Sequence, residues 1–217
     1  MESRFILWDQ DNFTLRGVGD NSDDYVINPT ARTVLNYLAD KGFTNVAYSN
    51  KSPGWTLAKA KAAKQDDAYA AMLDSRGMPG SKTVVPLQRY TGLDAPALAD
   101  RAIYFGDNFN NDILYDCDGL VHVFDALGLK RDFHAYANII DYLDSYDNTS
   151  FRTAYEGAWN RARWHDYKGV RTLFHAFDTK SIFSERENYA DFDSSKMAET
   201  TNVISVVEGC LLDSVEK

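Results

Sequence analysis

Short apolar runs that stop abruptly at small polar residues set the rhythm of this chain. Phe5-Ile6-Leu7-Trp8 halts at Asp9-Gln10-Asp11, as a fully buried central strand does where it emerges from a sheet. Residues 45–48 form a second such run ending in Ser49-Asn50, residues 68–73 a weaker third, residues 101–105 a fourth ending at Gly106-Asp107, and residues 120–124 a last one. Helical spacing fills the intervals. Asn28-Pro29 supplies an N-cap and an N1 proline for a helix carrying Ala31, Val34, Leu35, Leu38 and Ala39, which Gly42 ends. Further helices are expected over residues 55–64, from Pro79-Gly80-Ser81-Lys82 to about Tyr90, and over residues 134–143. The Gly-, Asn- and Asp-rich stretch 12–27 reads as a loop or flap. This alternation predicts an α/β, Rossmann-like, doubly wound parallel sheet with helices on both faces. Ligands bind such sheets at the carboxyl ends of the strands, so Asp9, Asp11, Ser49 and Asp107 are expected to converge.

The pattern changes near Asp147, which divides the chain into a core, residues 1–147, and an extension, residues 148–217. Phe151, Tyr155, Trp159, Ala162 and Tyr167 interleave with Arg152, Arg161, Arg163, Lys168 and Arg171, which predicts one or two helices. A polar stretch follows, and Val203, Ile204, Val207, Leu211 and Val215 suit a terminal helix. The extension is therefore expected to be mainly helical and packed on the core, with Trp159, Arg161, Arg163 and Trp164 near the sheet edge or the site.

Charge narrows the partners. With 32 acidic residues against 23 Lys and Arg, the 217-residue chain carries a formal net charge of -9. That sign argues against general nucleic-acid or anionic-membrane attraction. Cys117 and Cys210 lie far apart without a CxxC pattern, so reduced, structural thiols are expected. No apolar run approaches the roughly 18 residues of a membrane span, and Arg4, Asp9 and Asp11 interrupt any signal-like N-terminal segment. The setting expected is cytoplasmic.

Asp9 and Asp11 at one strand end, with Asp107 and Asp112 after another, concentrate negative charge that needs a cation to offset it. A hard divalent ion with oxygen ligands follows, and magnesium suits a site shared among carboxylates, water and a phosphate. Lys82 and Ser49 supply the donors that a phosphoryl group requires.

At these residues the chain resembles the haloacid dehalogenase (HAD) superfamily. Four short motifs occur in order: Phe-Ile-Leu-Trp-Asp9-Gln10-Asp11-Asn12-Phe13-Thr14-Leu15, Ala-Tyr-Ser49-Asn50-Lys51, Lys82, and Tyr-Phe-Gly106-Asp107 through Asp112. The small, capless magnesium-dependent phosphatases are the nearest likeness, which covers about residues 4–145 and stops short of the C-terminal segment. The resemblance implies that Asp9 attacks phosphorus and that Asp11 serves as acid and then base. Ser49, Asn50 and Lys82 would hold phosphoryl oxygens. Magnesium would be bound by Asp9, the carbonyl of Asp11 and Asp107, with Asp112 touching the metal or steadying its ligands. In one respect the chain departs from the pattern: Phe13 stands where the family usually has threonine or valine, and Thr14 follows one place later. Either an extra residue bulges the loop or Phe13 replaces the usual side chain.

Too few residues separate the motifs for an inserted cap domain. An open site favours a bulky phosphorylated substrate, such as a phosphoprotein or a polynucleotide end, unless residues 16–25 or the C-terminal segment cover it. A polynucleotide 3'-phosphatase, a phosphomutase and a catalytically silent HAD-fold binding protein are the competing readings. His122 is expected to pack in the core, and His134, His165 and His175 to be ordinary helix residues.

Overall fold

The first apolar run forms β1 (Arg4–Trp8), with every residue buried. The computed structural model describes residues 3–10, 14–17, 25–27, 30–76, 82–106, 112–124, 133–158, 163–167 and 170–175. In chain order the elements after β1 are β2 (Leu15–Gly17), β3 (Tyr25–Ile27), α1 (Ala31–Asp40), β4 (Phe43–Ser49), α2 (Pro53–Ala62), β5 (Ala71–Asp74), α3 (Val85–Thr91), α4 (Ala95–Arg101), β6 (Ala102–Gly106), β7 (Val121–Phe124), α5 (His134–Tyr146), α6 (Phe151–Ala158), β8 (Arg163–Tyr167) and β9 (Val170–His175). One sheet takes the order β5-β4-β1-β6-β7-β9-β8, and β2 pairs with β3 in a separate antiparallel ribbon where a flap was expected. Strands β5, β4, β1, β6, β7 and β9 run parallel, and β8 returns antiparallel at the edge.

Alternation along the strands sorts the core into two layers. Ile6, Trp8, Ala47, Ile103, Phe105 and Val123 face α1, α5 and α6. Phe5, Leu7, Val46, Tyr48, Ala102 and Tyr104 face α3, α4 and the segment that carries Leu114, Cys117 and Leu120. The protein is thus an α/β fold with a parallel sheet covered on both faces. After β1 the chain leaves across the α1 face, and after β6 it packs against the opposite face. The crevice between the ends of β1 and β6 is therefore a topological switch point, the place where open α/β sheets bind ligands.

Local chemistry explains the element ends. Helix α1 buries Ala31, Val34, Leu35 and Leu38 at i, i+3, i+4, i+7 spacing, and Gly42 leaves it with φ of +91°, a conformation that favours glycine. Its N-cap is Thr30, whose hydroxyl accepts from Phe133 N at 3.0 Å; Asn28 and Pro29, the expected cap, lie outside the described residues. Ser52 caps α2 by accepting from Trp55 N, with Pro53 at the first helical position. Asp94 accepts from Ala97 N at 2.9 Å to cap α4, a helix not anticipated although Asp94-Ala95-Pro96 announces it.

Two expectations need correction. Lys82 does not open a helix: its N–H donates to Ile113 O at 3.2 Å and Thr83 N to Ser75 O at 2.9 Å, so sideways bonds hold this backbone extended until α3 begins at Val85. Within the extension, α6 is helical but residues 163–167 and 170–175 are strands that join the sheet through β7. Aromatic and β-branched residues flank a two-residue gap ending in Gly169, a hairpin signal that the helical reading of the Arg and aromatic residues overrode. His165 and His175 accordingly lie in β8 and β9 rather than in helices. Arg163 and Trp164 do occupy the sheet edge, while Trp159, Arg161, Cys210 and the anticipated terminal helix fall outside the described residues. Among the described residues no helix is long and apolar enough to cross a membrane.

The sheet side chains lean on α6. Phe151 is fully buried, stacks on Phe43 with centroids 6.0 Å apart, and shares the Arg4 guanidinium with it in cation-π contact. Phe151→Ala should lower the free energy of unfolding by about 3–5 kcal/mol, the usual cost of deleting a buried phenyl ring, in urea titrations. A loss under about 1 kcal/mol would show that α6 is not part of the core.

Candidate active site

Asp9 is the first residue beyond β1, and three bonds fix its backbone. Its N–H donates to Phe105 O at 2.8 Å, and its carbonyl accepts from Thr14 N at 3.5 Å and Thr14 Oγ1 at 3.4 Å. Leu15 N also reaches back to Gln10 O at 2.9 Å, so the turn after β1 closes through two bonds spanning five residues. Beneath the turn, Trp8 stacks on Phe105 with centroids 4.7 Å apart, and its indole N–H donates to Asn45 Oδ1 at 3.0 Å. Asn45 Nδ2 in turn donates to Leu35 O at 2.7 Å, tying β1, β4 and α1 together directly below Asp9.

The Lys82 ammonium is the hub of the site. Its Nζ lies 2.9 Å from Asp9 Oδ1, 2.9 Å from Tyr48 O and 3.2 Å from Asp112 Oδ1. Lys82, Asp9 and Asp112 are only 2%, 6% and 3% exposed. Tyr104 places its ring 5.1 Å from the same nitrogen, a cation-π contact. Burial alone would lower the Lys82 pKa, but the charges of Asp112 and Asp9 outweigh it and hold the ammonium above its ordinary value.

A loop carries Asp112 to this hub, and His122 pins the loop. Leu114 N donates to His122 Nε2 at 3.2 Å, which leaves the proton on Nδ1, 2.9 Å from Leu120 O. Both ring nitrogens are thereby engaged on the segment that also supplies Ile113 O to Lys82 N. Burial pushes the His122 pKa down to about 3, with the bond to Leu120 opposing the shift. The ring is neutral at physiological pH and serves the fold, as its sequence position suggested. Gly106 is equally constrained: a Cβ there would fall 2.6 Å from Asp112 Oδ2 and 2.7 Å from Tyr104 Cε1. Only the absence of a side chain lets that carboxylate approach the end of β6.

Ser49 and Asn50 close the adjoining end of β4, where the register sets Trp8 opposite Ala47. Ser49 is buried and its Oγ accepts from Lys51 N at 3.2 Å, while Asn50 Oδ1 accepts from Ser75 Oγ at 3.1 Å. Five of the seven site residues named from sequence thus lie at the ends of neighbouring strands or on the loops beside them, and Asp9, Lys82 and Asp112 are in contact. Asp11 and Asp107 fall outside the described residues. The sequence reading missed Tyr48 O, Tyr104, Thr14 and Gly106 as supports. A backbone carbonyl and an aromatic on a buried strand carry no chemical signal in a single sequence.

Among the described residues no three acidic, histidine or cysteine side chains form a metal-binding group. The charge count still fits a cation: Asp9 and Asp112 set two carboxylates against one ammonium, and the sequence adds Asp11 and Asp107 beside them. Oxygen donors of this kind suit a hard divalent ion.

No family model matches this sequence, and no curated protein matches it. Among solved structures, an uncharacterized protein from Listeria monocytogenes serotype 4b is similar over 56% of this chain and 77% of its own, at 15% identity and a TM-score of 0.44. A "putative HAD family hydrolase" from Streptomyces avermitilis MA-4680 is similar over 58% of this chain and 70% of its own, at 19% identity and a TM-score of 0.37. The case for function is carried by the site itself.

Two stability measurements test this geometry. Lys82→Met leaves two buried carboxylates without their cation and should cost about 3–5 kcal/mol at neutral pH. Because the folded pKa of Lys82 is raised, its contribution is complete below the ordinary value of 10.5 and is lost only as pH climbs through the folded value. The gap between wild type and variant, read from urea curves, should stay constant across pH 8 to 10; a gap under about 1 kcal/mol would refute the buried triad. For His122 the sign is opposite. A depressed folded pKa gives stability that is complete above 6.5 and drains as pH falls towards about 3. Between pH 6 and 4, wild type should lose about 1.4 kcal/mol per pH unit more than His122→Gln; parallel profiles would contradict a buried neutral imidazole.

Proposed function

We propose that this protein is a magnesium-dependent phosphomonoesterase of the HAD type that works through an aspartyl-phosphate on Asp9. The observation supporting this most strongly is the buried Lys82 ammonium bridging Asp9 and Asp112 at the carboxyl end of the central strands. A carboxylate held against a permanent cation stays ionised and aimed, which a nucleophile needs. The cation also offsets charge that builds as a phosphoryl group meets an anion.

In this reading an Asp9 carboxylate oxygen attacks phosphorus, the new O–P bond forms, and the bond to the leaving alkoxide breaks. Asp11 gives that alkoxide its proton and then takes one from the water that attacks the aspartyl-phosphate, which returns Asp9 and frees inorganic phosphate. Ser49, Asn50 and Lys82 hold the non-bridging oxygens. Magnesium would be held by Asp9, Asp11, Asp107 and Asp112, where it supplies further neutralisation of phosphoryl charge. Gly106 leaves the room that the Asp112 carboxylate occupies. The chain's own part is orientation: the Thr14 bonds fix the Asp9 backbone, and Lys82 fixes the carboxylate.

The purified chain should release phosphate from p-nitrophenyl phosphate with magnesium and stop when the metal is chelated. Asp9→Asn should reduce kcat by about a thousandfold or more while circular dichroism stays native. Failure of the wild-type chain to turn over any phosphoester in a broad panel, with magnesium bound and fold intact, would sink the proposal.

A further inference from the structure

The two bonds that Thr14 makes to the Asp9 carbonyl, at 3.5 Å from N and 3.4 Å from Oγ1, are longer than ordinary hydrogen bonds. Bonds of that length fix Asp9 only if the rest of the turn is itself held, and two buried polar side chains hold it. Gln10, the next residue in sequence, is 1% exposed, and its Nε2 donates to Thr56 O on α2 at 3.0 Å. Its own carbonyl accepts from Leu15 N at 2.9 Å, so Gln10 joins both ends of the turn to a helix. Tyr69 stands two residues before β5 and is buried. Its hydroxyl faces the Thr14 hydroxyl, lies within the field of Asp9, and has no other partner among the described residues. Burial pushes the Tyr69 phenol well above its ordinary value, with the Thr14 contact opposing the shift and the Asp9 charge adding to it. The phenol therefore keeps its proton at physiological pH and remains a donor. Donation to Thr14 Oγ1 strengthens the bond that Thr14 makes to the Asp9 carbonyl, because chained hydrogen bonds polarise one another. Tyr69 and Ala60, one turn beyond Thr56, belong to the same buried layer, so both supports reach the turn from the α1 side of the sheet.

We propose that Gln10 and Tyr69 are positioning residues for the nucleophile: Gln10 ties the Asp9–Leu15 turn to α2, Tyr69 ties it to the entry of β5, and together they keep Asp9 aimed as a phosphoryl group arrives. Each acts through the backbone of the turn, by way of Leu15 or Thr14. The role of Asp9 is taken from the phosphomonoesterase reading, whereas the tethering of the turn rests on the contacts alone. Packing does not account for the two residues. Gln10 Oε1 is buried without a hydrogen-bond partner, and taking an amide or a phenol out of water on such terms costs stability that an apolar side chain of similar size avoids. A displaced nucleophile slows the chemical step steeply while the substrate still binds, so the effect is expected in kcat rather than in KM.

Kinetics with p-nitrophenyl phosphate and magnesium, paired with amide hydrogen exchange on the full chain, test this. Tyr69→Phe keeps the ring and Gln10→Met keeps the length, while each deletes the hydrogen-bonding atoms. Each should lower kcat about three- to tenfold with KM unchanged, the range that one neutral hydrogen bond supports. In a Thr14→Val background Tyr69→Phe should have no further effect, because it acts through the Thr14 hydroxyl. Exchange protection of the Leu15 amide should fall about threefold or more in Gln10→Met, while that of the Asp9 amide, bonded to Phe105 O, stays as in wild type. Phe151→Ala, which destabilises the core away from the turn, should leave kcat within about twofold, so that lost stability alone does not reproduce the pattern. Wild-type kcat in both Tyr69→Phe and Gln10→Met, an equal loss in Phe151→Ala, or additive losses in the Thr14→Val background would overturn the positioning role. If wild type turns over and the variants match it, the positioning role alone fails. If wild type hydrolyses no phosphoester but Gln10→Met loses Leu15 protection, the tether stands and the enzyme reading alone fails.

Discussion

A lysine ammonium sealed from water between two aspartates governs the arrangement of this protein's strand ends. Removing an ion from water costs several kcal/mol even after the protein relaxes, so the position is tolerable only with near-complete compensation. Asp9, Asp112, the Tyr48 carbonyl and the Tyr104 ring provide it from four separate stretches of chain. Each stretch is then constrained in turn. The backbone at Lys82 stays extended and bridged rather than helical, the loop bearing Asp112 is clamped by His122, and β6 ends in a residue without a side chain. These otherwise unrelated features have one cause.

The sheet converts that local demand into a site. Parallel order places the ends of β1, β4 and β6 side by side, and because the chain passes to opposite faces of the sheet after β1 and after β6, a crevice opens between them where Asp9 emerges. Rigidity comes from below, through the Trp8, Phe105, Phe133 and Tyr136 rings and the Trp8-Asn45-Leu35 hydrogen-bond chain. A nucleophile on such a platform has little freedom to drift from a bound phosphoryl group, which is the positional requirement of the proposed chemistry.

Much of this was legible in the sequence, because burial and helix periodicity write themselves into residue order. The strand Phe5–Trp8 with its abrupt stop at Asp9, the stripe Val34-Leu35-Leu38, and the ends at Ser49 and Gly106 all lie where hydrophobic pattern and turn residues put them. The misreadings have physical reasons. Lys82 follows a Pro-Gly-Ser segment that mimics a helix start, but hydrogen bonds to Ile113 and Ser75, remote in sequence, decide its backbone. Residues 163–175 alternate charge and aromatics ambiguously, and only pairing with β7 makes them strands. Contacts made by carbonyls, such as Tyr48 O on Lys82, leave no trace in residue identity.

The central claim is that the Asp9 carboxylate, held by Lys82, itself receives the phosphoryl group. Acid-quenched turnover of a radiolabelled phosphomonoester, followed by borohydride reduction and peptide mapping, tests it directly. The account expects label on the Asp9 peptide, conversion of that aspartate to homoserine on reduction, and neither in Asp9→Asn. Phosphate release without labelled Asp9, or label on any other residue, would contradict it.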